Sequence, residues 1–203
     1  MRQANVAQLF EYQRERLQLQ LVCGNLDAPI AINHQHASPA DLVGHLNLIH
    51  PDRIQVIGAP EINWATMQHA VRVTRHMDEI ISAHPPALIV ADGCAIPAPV
   101  LEACKRSNTA LFSTPQSAAV VIDLLRLWLS RRLAETTELH AVMMDVLGMG
   151  VLITGDSGVG KSELALELIS RGHGLVADDI VEIARVAPNS LEARCPPMLK
   201  DFL

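Results

Sequence analysis

Gly155-Asp-Ser-Gly-Val-Gly-Lys161-Ser162 fills the pattern G-x-x-x-x-G-K-[ST], in which glycines let successive backbone N–H groups turn inward on phosphate oxygens. The flanks are those the chemistry requires. Residues 151–154, Val-Leu-Ile-Thr, form a short β-branched apolar run that predicts a strand. From Lys161 onward, Leu164, Leu168 and Ile169 mark one side of a helix that Gly172 stops. A helix N-terminus adds partial positive charge to such a loop. Gly155, Asp156, Ser157, Gly158, Val159 and Gly160 are therefore expected to cradle the phosphates of a nucleoside triphosphate. Lys161 is expected to reach its β- and γ-phosphates, and the Ser162 hydroxyl to ligate Mg²⁺.

Val176-Ala-Asp178-Asp179 comes next, after the span that a helix and a parallel β-α-β crossover need. It would bring two carboxylates to the strand ends where open α/β sheets bind ligands. In phosphoryl transfer one carboxylate can hold a metal and another accept the proton of an attacking hydroxyl. The structural alternative is an acidic strand end facing water. His140 joins the group through register. Residues 140–146 and 151–154 read as the arms of a β-hairpin around Leu147-Gly-Met-Gly150. If Leu147 faces Gly150, His140 lies opposite Ser157. A strand-end histidine bonded to a carbonyl is the competing explanation.

Together, His140, the hairpin segment 145–154, the glycine-rich loop through Glu163, and Arg171-Gly-His-Gly-Leu-Val-Ala-Asp-Asp179 resemble bacterial HPr kinase/phosphorylase. The resemblance is dense over residues 139–183 and looser before them. It implies phosphorylation by ATP of a regulatory serine on HPr, the phosphocarrier of the sugar phosphotransferase system. It also implies the reverse reaction, in which inorganic phosphate removes that phosphoryl group and pyrophosphate leaves. Carried over by position, Asp179 is the proton acceptor in the forward direction and the donor in reverse. Asp178 stands beside it, His140 and Lys161 are the further catalytic residues, and Ser162 is a magnesium ligand. Ala141 and Leu147 depart from the glycine and tyrosine usual in the family, which bears on local packing. The resemblance also implies a homohexamer, and a longer kinase domain whose second magnesium-binding glutamate and signature segment lie past residue 203. The chain is therefore expected to be a fragment.

The fold that must position these residues is expected to be α/β. Residues 1–135 read as an N-terminal α/β domain with a largely parallel sheet, and 136–203 as a partial P-loop kinase domain opening with the hairpin. Val6, Leu9, Phe10, Gln13 and Leu17 mark a first helix face, followed by short strands near 19–22 and 30–33. Residues 54–57 and 87–90 look like buried strands. Trp64, Met67, Val71, Thr74, Met77 and Ile81 predict one helix between them, ended by Pro85-Pro86. A helix over 97–106, a strand over 109–112 and a helix carrying Val121, Leu124, Leu125, Trp128 and Leu129 complete the domain. Asp92-Gly93 at a strand end reads as a turn.

Composition narrows the function classes. Hydrophobic residues make up 49% and aromatic residues 3%, so aliphatic packing must build the core. The formal net charge is −6, and residues 136–203 carry five Lys/Arg against ten Asp/Glu, so nothing resembles a nucleic-acid field. No apolar run is long enough for a bilayer. Cys23, Cys94, Cys104 and Cys195 lack metal or redox spacing, and with no signal-like start a cytoplasmic protein with reduced thiols is expected. His34, His36, His45 and His50 sit among Asn, Ser and Pro, which favours a solvated loop over a metal site. Two other readings fit the same motifs: a P-loop ATPase or small-molecule kinase, and a non-catalytic nucleotide sensor.

Overall fold

Ile54-Gln-Val-Ile57 is buried on every residue, as a strand covered on both faces must be. It belongs to a computed structural model that describes residues 3–32, 38–187 and 189–196. These fall into two compact units, Met1–Leu133 and Ala134–Leu203.

In chain order the first unit holds β1 (Ala4–Asn5), α1 (Val6–Leu17), β2 (Gln20–Cys23), β3 (Pro29–Ile30) and a short 3₁₀ turn, Pro39–Leu42. Then come β4 (Val43–His45), β5 (Ile54–Ile57), α2 (Ala59–Met67), α3 (Ala70–Ser82), β6 (Ala87–Val90), α4 (Ala98–Ser107), β7 (Ala110–Ser113) and α5 (Ala118–Arg132). The sheet runs β2-β7-β6-β5-β4, with β4 to β7 parallel and β2 antiparallel at the edge. This is the largely parallel sheet expected. On one face Ile54, Val56, Ile89 and Phe112 pack with α1 and α5. On the other, Ile57, Leu88, Val90 and Leu111 pack with Met77 of α3 and Val100, Ala103 and Cys104 of α4. The alternation of inward residues along each strand sends successive side chains to opposite layers.

Two expectations for this unit need correction. The single helix over 64–81 is two helices, because Gln68 (φ −98°, ψ 155°) and His69 (φ −62°, ψ 139°) are extended. The break rotates the second helix, so Val73, Met77 and Ile80 face the core while Met67 and Val71 are 82% and 81% exposed. The strand expected near 30–33 is only Pro29–Ile30, paired with β1. Residue 33 and His34 and His36 lie outside the described residues. His45 Nδ1 sits 3.5 Å from Glu61, and the described residues contain no cluster of three or more metal-ligating side chains.

Asp92 does more than turn the chain. It holds φ 59°, a left-handed conformation that Asp tolerates better than most residues. From there Oδ2 accepts from Ala59 N at 2.7 Å and Oδ1 from Ala118 N at 3.0 Å. One carboxylate thus caps α2 and α5, satisfying N–H groups that have no intrahelical partner.

The second unit comprises β8 (Glu135–His140), β9 (Val142–Val146), β10 (Met149–Ile153), α6 (Lys161–Ser170), β11 (Gly174–Ala177), β12 (Ile180–Ala187) and β13 (Ser190–Arg194). They form two antiparallel sheets, β10-β9-β11 and β13-β12-β8. Val142 and Met144 of the central strand pack on Ala165 and Leu168 of α6. Met143, pointing the other way, joins Ala177, Val181 and Ile183. The hairpin forms, but one position earlier than expected. Met149 pairs with Val146 and Gly150 with Asp145, leaving Leu147-Gly148 as a two-residue turn with φ of 54° and 81°. Positive φ at both turn residues matches the twist of the arms, so this pair wins over Gly148-Met149, which pairing Leu147 with Gly150 would have left in the turn. The crossover through α6 also differs from a simple pair. β11 lies antiparallel against β9, so β9 separates it from β10.

Candidate functional site

Residues 154–160 connect β10 to α6 and bring Gly155, Asp156, Ser157, Gly158, Val159 and Gly160 to the helix N-terminus. Gly158 and Gly160 take φ of 83° and 92°, which side-chain-bearing residues rarely adopt. Gly160 is the N-cap, and a Cβ there would lie 2.8 Å from Glu163 Oε2. Lys161 folds back over its own loop, donating from Nζ to Gly155 O and Asp156 O at 2.8 Å each. Its ammonium therefore lies over the concave side of the loop, beside the helix N-terminus.

The two carboxylates occupy the turn after β11. That strand ends at Ala177, as the need to place adjacent side chains in one region required. Ser162 Oγ, in the first turn of α6, donates to Asp178 Oδ1 at 3.1 Å, and Asp179 N donates to the same oxygen at 2.9 Å. Asp179 adopts φ 68°, and Ile180 N closes the turn on Asp178 O at 2.9 Å. Asp178 is thus tied to the loop, whereas the Asp179 side chain makes no hydrogen bond among the described residues.

His140 arrives by a route the hairpin register did not anticipate. It is not an extension of β9 and does not face Ser157. Ala141 separates two strands, and His140 ends β8, where it pairs with Ile180 at the start of β12. Ala141 N donates to Asp179 O at 3.2 Å, which fixes the end of β8 against the acidic turn. The correction moves His140 from the loop wall to the flank of Asp179. Buried Ala141 packs with Ala177 and Val181. Lys161, Ser162, Asp178, Asp179 and His140 are therefore brought together by one helix N-terminus, one turn and one strand end.

A row of charged residues beside this group escaped sequence reasoning. Glu182 of β12 pairs laterally with Glu138 of β8 on one side and Arg194 of β13 on the other. Glu182 is 3% exposed and accepts from Arg194 Nε at 2.8 Å and from Nη2 as well. The signal was the β-branched run Ile-Val-Glu-Ile after the acidic pair, with Asn189 supplying the turn before Ser190, which predicts a second hairpin.

A glycine-rich loop opening a helix, with an acidic turn bonded to that helix, is the architecture of a phosphate-handling α/β protein. Comparison with known proteins gives the family. Residues 4–129 match the family described as HPr Serine kinase N terminus, and residues 131–203 match HPr Serine kinase C-terminal domain. The chain belongs to the HPr serine kinase family. The HPr kinase/phosphorylase of Aromatoleum aromaticum is 61% identical over all 203 residues, and that of Azoarcus sp. (strain BH72) is 62% identical over the same span. The chain spans 65% of the length of each of these relatives. A solved HPr(Ser) kinase/phosphatase from Coxiella burnetii is 46% identical over 30% of this chain and 36% of its own, with a TM-score of 0.28.

Proposed function

We propose that this chain supplies the nucleotide loop and proton-transfer turn of an ATP-dependent protein-serine kinase. Its substrate is the phosphocarrier HPr, and it also reverses the reaction by phosphorolysis. The observation that carries the reading is the Ser162–Asp178 hydrogen bond, which holds the acidic turn beside the loop with Asp179 left unbonded. The family, and relatives named for the same two reactions, support the choice of substrate.

The residues present fit a magnesium nucleotide. Their donors are hard oxygens, Ser162 Oγ and the Asp178 carboxylate, as Mg²⁺ prefers, and the loop offers backbone N–H groups and one ammonium. Ser162, with Asp178 behind it, would hold the metal, and residues 155–162 the phosphates. When bound, Mg²⁺ neutralises charge on the transferring phosphoryl group. The chain's own part is positioning and proton transfer. Asp179 accepts the proton from the serine hydroxyl of HPr as the Oγ–P bond forms and ADP departs. In reverse, inorganic phosphate attacks phosphoserine, pyrophosphate leaves, and Asp179 returns the proton to the serine oxygen. Lys161 balances phosphate charge throughout, a contact worth about 3–4 kcal/mol in comparable sites. His140, on the flank of Asp179, orients that carboxylate or the incoming hydroxyl.

No helix among the described residues is long and apolar enough to cross a membrane. A cytoplasmic homohexamer is the setting the family resemblance supports. The test is incubation of the full-length protein with γ-labelled ATP and HPr. Label on an HPr serine, removed again by inorganic phosphate with release of labelled pyrophosphate, is the expected result. Phosphate release without labelled HPr would make the protein an ATPase, and nucleotide binding without turnover a sensor.

A further inference from the structure

The polar face of the β13-β12-β8 sheet carries Arg194, Glu182 and Glu138 in one lateral row, and His140 lies two residues beyond Glu138 on β8. Residues directly opposite across an antiparallel pair share a face, and like charges there repel. Glu182 and Glu138 are such a pair. Burial of Glu182 strengthens the repulsion, because its charge is little screened by water. The separation this favours is that of β8 from β12, whose last pairing is His140 with Ile180 beside Asp179.

Arg194 opposes it from the other side. Both Nε and Nη2 converge on Glu182 Oε1, drawing the carboxylate toward β13. We infer that Arg194 is a positioning residue for the catalytic group: by holding Glu182 it lets Glu138 stay paired, and so keeps His140 against the Asp179 turn. The kinetic part of this inference rests on the function proposed above; the structural part does not.

Arg194→Gln tests both in the full-length protein. Exchange of the Ala141 amide, which reports the bond to Asp179 O, should quicken about tenfold, and kcat for HPr phosphorylation should fall about tenfold, within the range over which neighbouring charges couple. KM for ATP should stay within about twofold, since Arg194 does not touch the loop. Arg194→Gln combined with Glu138→Gln should restore both quantities to within about threefold, because the repelling partner is gone. In a His140→Ala background, Arg194→Gln should change kcat by less than about twofold. An equal tenfold loss with His140 absent would overturn the inference, as would failure of Glu138→Gln to rescue. Should Arg194→Gln not fold, Glu138→Gln alone decides the matter: slower Ala141 exchange supports the inference and unchanged exchange overturns it. If the unmodified protein does not phosphorylate HPr, the proposed function falls, and the exchange measurements still decide the positioning role.

Discussion

Replacing Asp179 by asparagine separates the proton acceptance proposed for that residue from every structural role it plays. The side chain keeps its size and accepts no described hydrogen bond in the folded chain, so none is lost. Its backbone sits at φ 68°, and asparagine tolerates that region as well as aspartate does. Asp179→Asn should therefore leave thermal stability within the scatter of surface substitutions, about 0.5 kcal/mol. Asp179→Ala, which lacks this tolerance, should cost about 1 kcal/mol and lower Tm by about 2–4 °C. The kinetic effect should be far larger for both. Loss of a positioned general base costs about two to four orders of magnitude in rate, or about 3–5 kcal/mol of barrier. Quenched-flow transfer of label from ATP to HPr measures this, and equilibrium nucleotide binding should change by less than about twofold because Asp178, not Asp179, is bonded to Ser162. Normal phosphorylation by Asp179→Asn alongside failure of Asp178→Asn would refute the reasoning and exchange the two roles.

Three further outcomes follow from features outside the proton step. Leu147 is 84% exposed at φ 54° in a two-residue turn, so Leu147→Asn should raise stability by about 1 kcal/mol in thermal unfolding, and an unchanged Tm would argue against the turn. Asp92→Gly should lose the caps on α2 and α5, about 1–2 kcal/mol in urea titration given the partial solvent exposure, while Asp92→Ala should lose about 1 kcal/mol more through its left-handed backbone; equal losses would place the whole cost in the caps. Burial pushes the Cys104 thiol up to about 12, so at pH 8 it stays protonated and should resist iodoacetamide while the unfolded chain is alkylated, as peptide mass spectrometry would show.

The parallel sheet was legible because residues 54–57 and 87–90 are unbroken apolar runs between helical stretches, a pattern with few other solutions. The loop and acidic turn were legible for a different reason: closely spaced glycines before a helix, and two adjacent carboxylates after a strand, each mark a turn in the backbone. What sequence periodicity could not register was a backbone break that leaves the apolar spacing intact. Gln68 and His69 interrupt the helix without any glycine or proline, and the stripe from Trp64 to Ile81 runs straight across them. The hairpin misled in a similar way. Gly148-Met149 and Leu147-Gly148 were both open as the turn pair, and only the left-handed backbone of Leu147 selects the second. His140 was brought to the site on the wrong partner, because Ala141 separates two strands with no compositional mark.

The order β7-β6-β5-β4 has a consequence for the first unit that its composition conceals. The crossovers from β5 to β6 and from β6 to β7 step in the same direction, so α3 and α4 lie side by side on one layer. Open α/β sheets make their ligand crevices where successive crossovers diverge to opposite faces. Within β4 to β7 there is no such divergence, and at the carboxyl end of β6 the negative charge of Asp92 takes the place an anion would hold between the N-termini of α2 and α5. The winding that makes this sheet easy to recognise thus also leaves one of its own carboxylates on the helix N-termini that an anionic ligand would otherwise use.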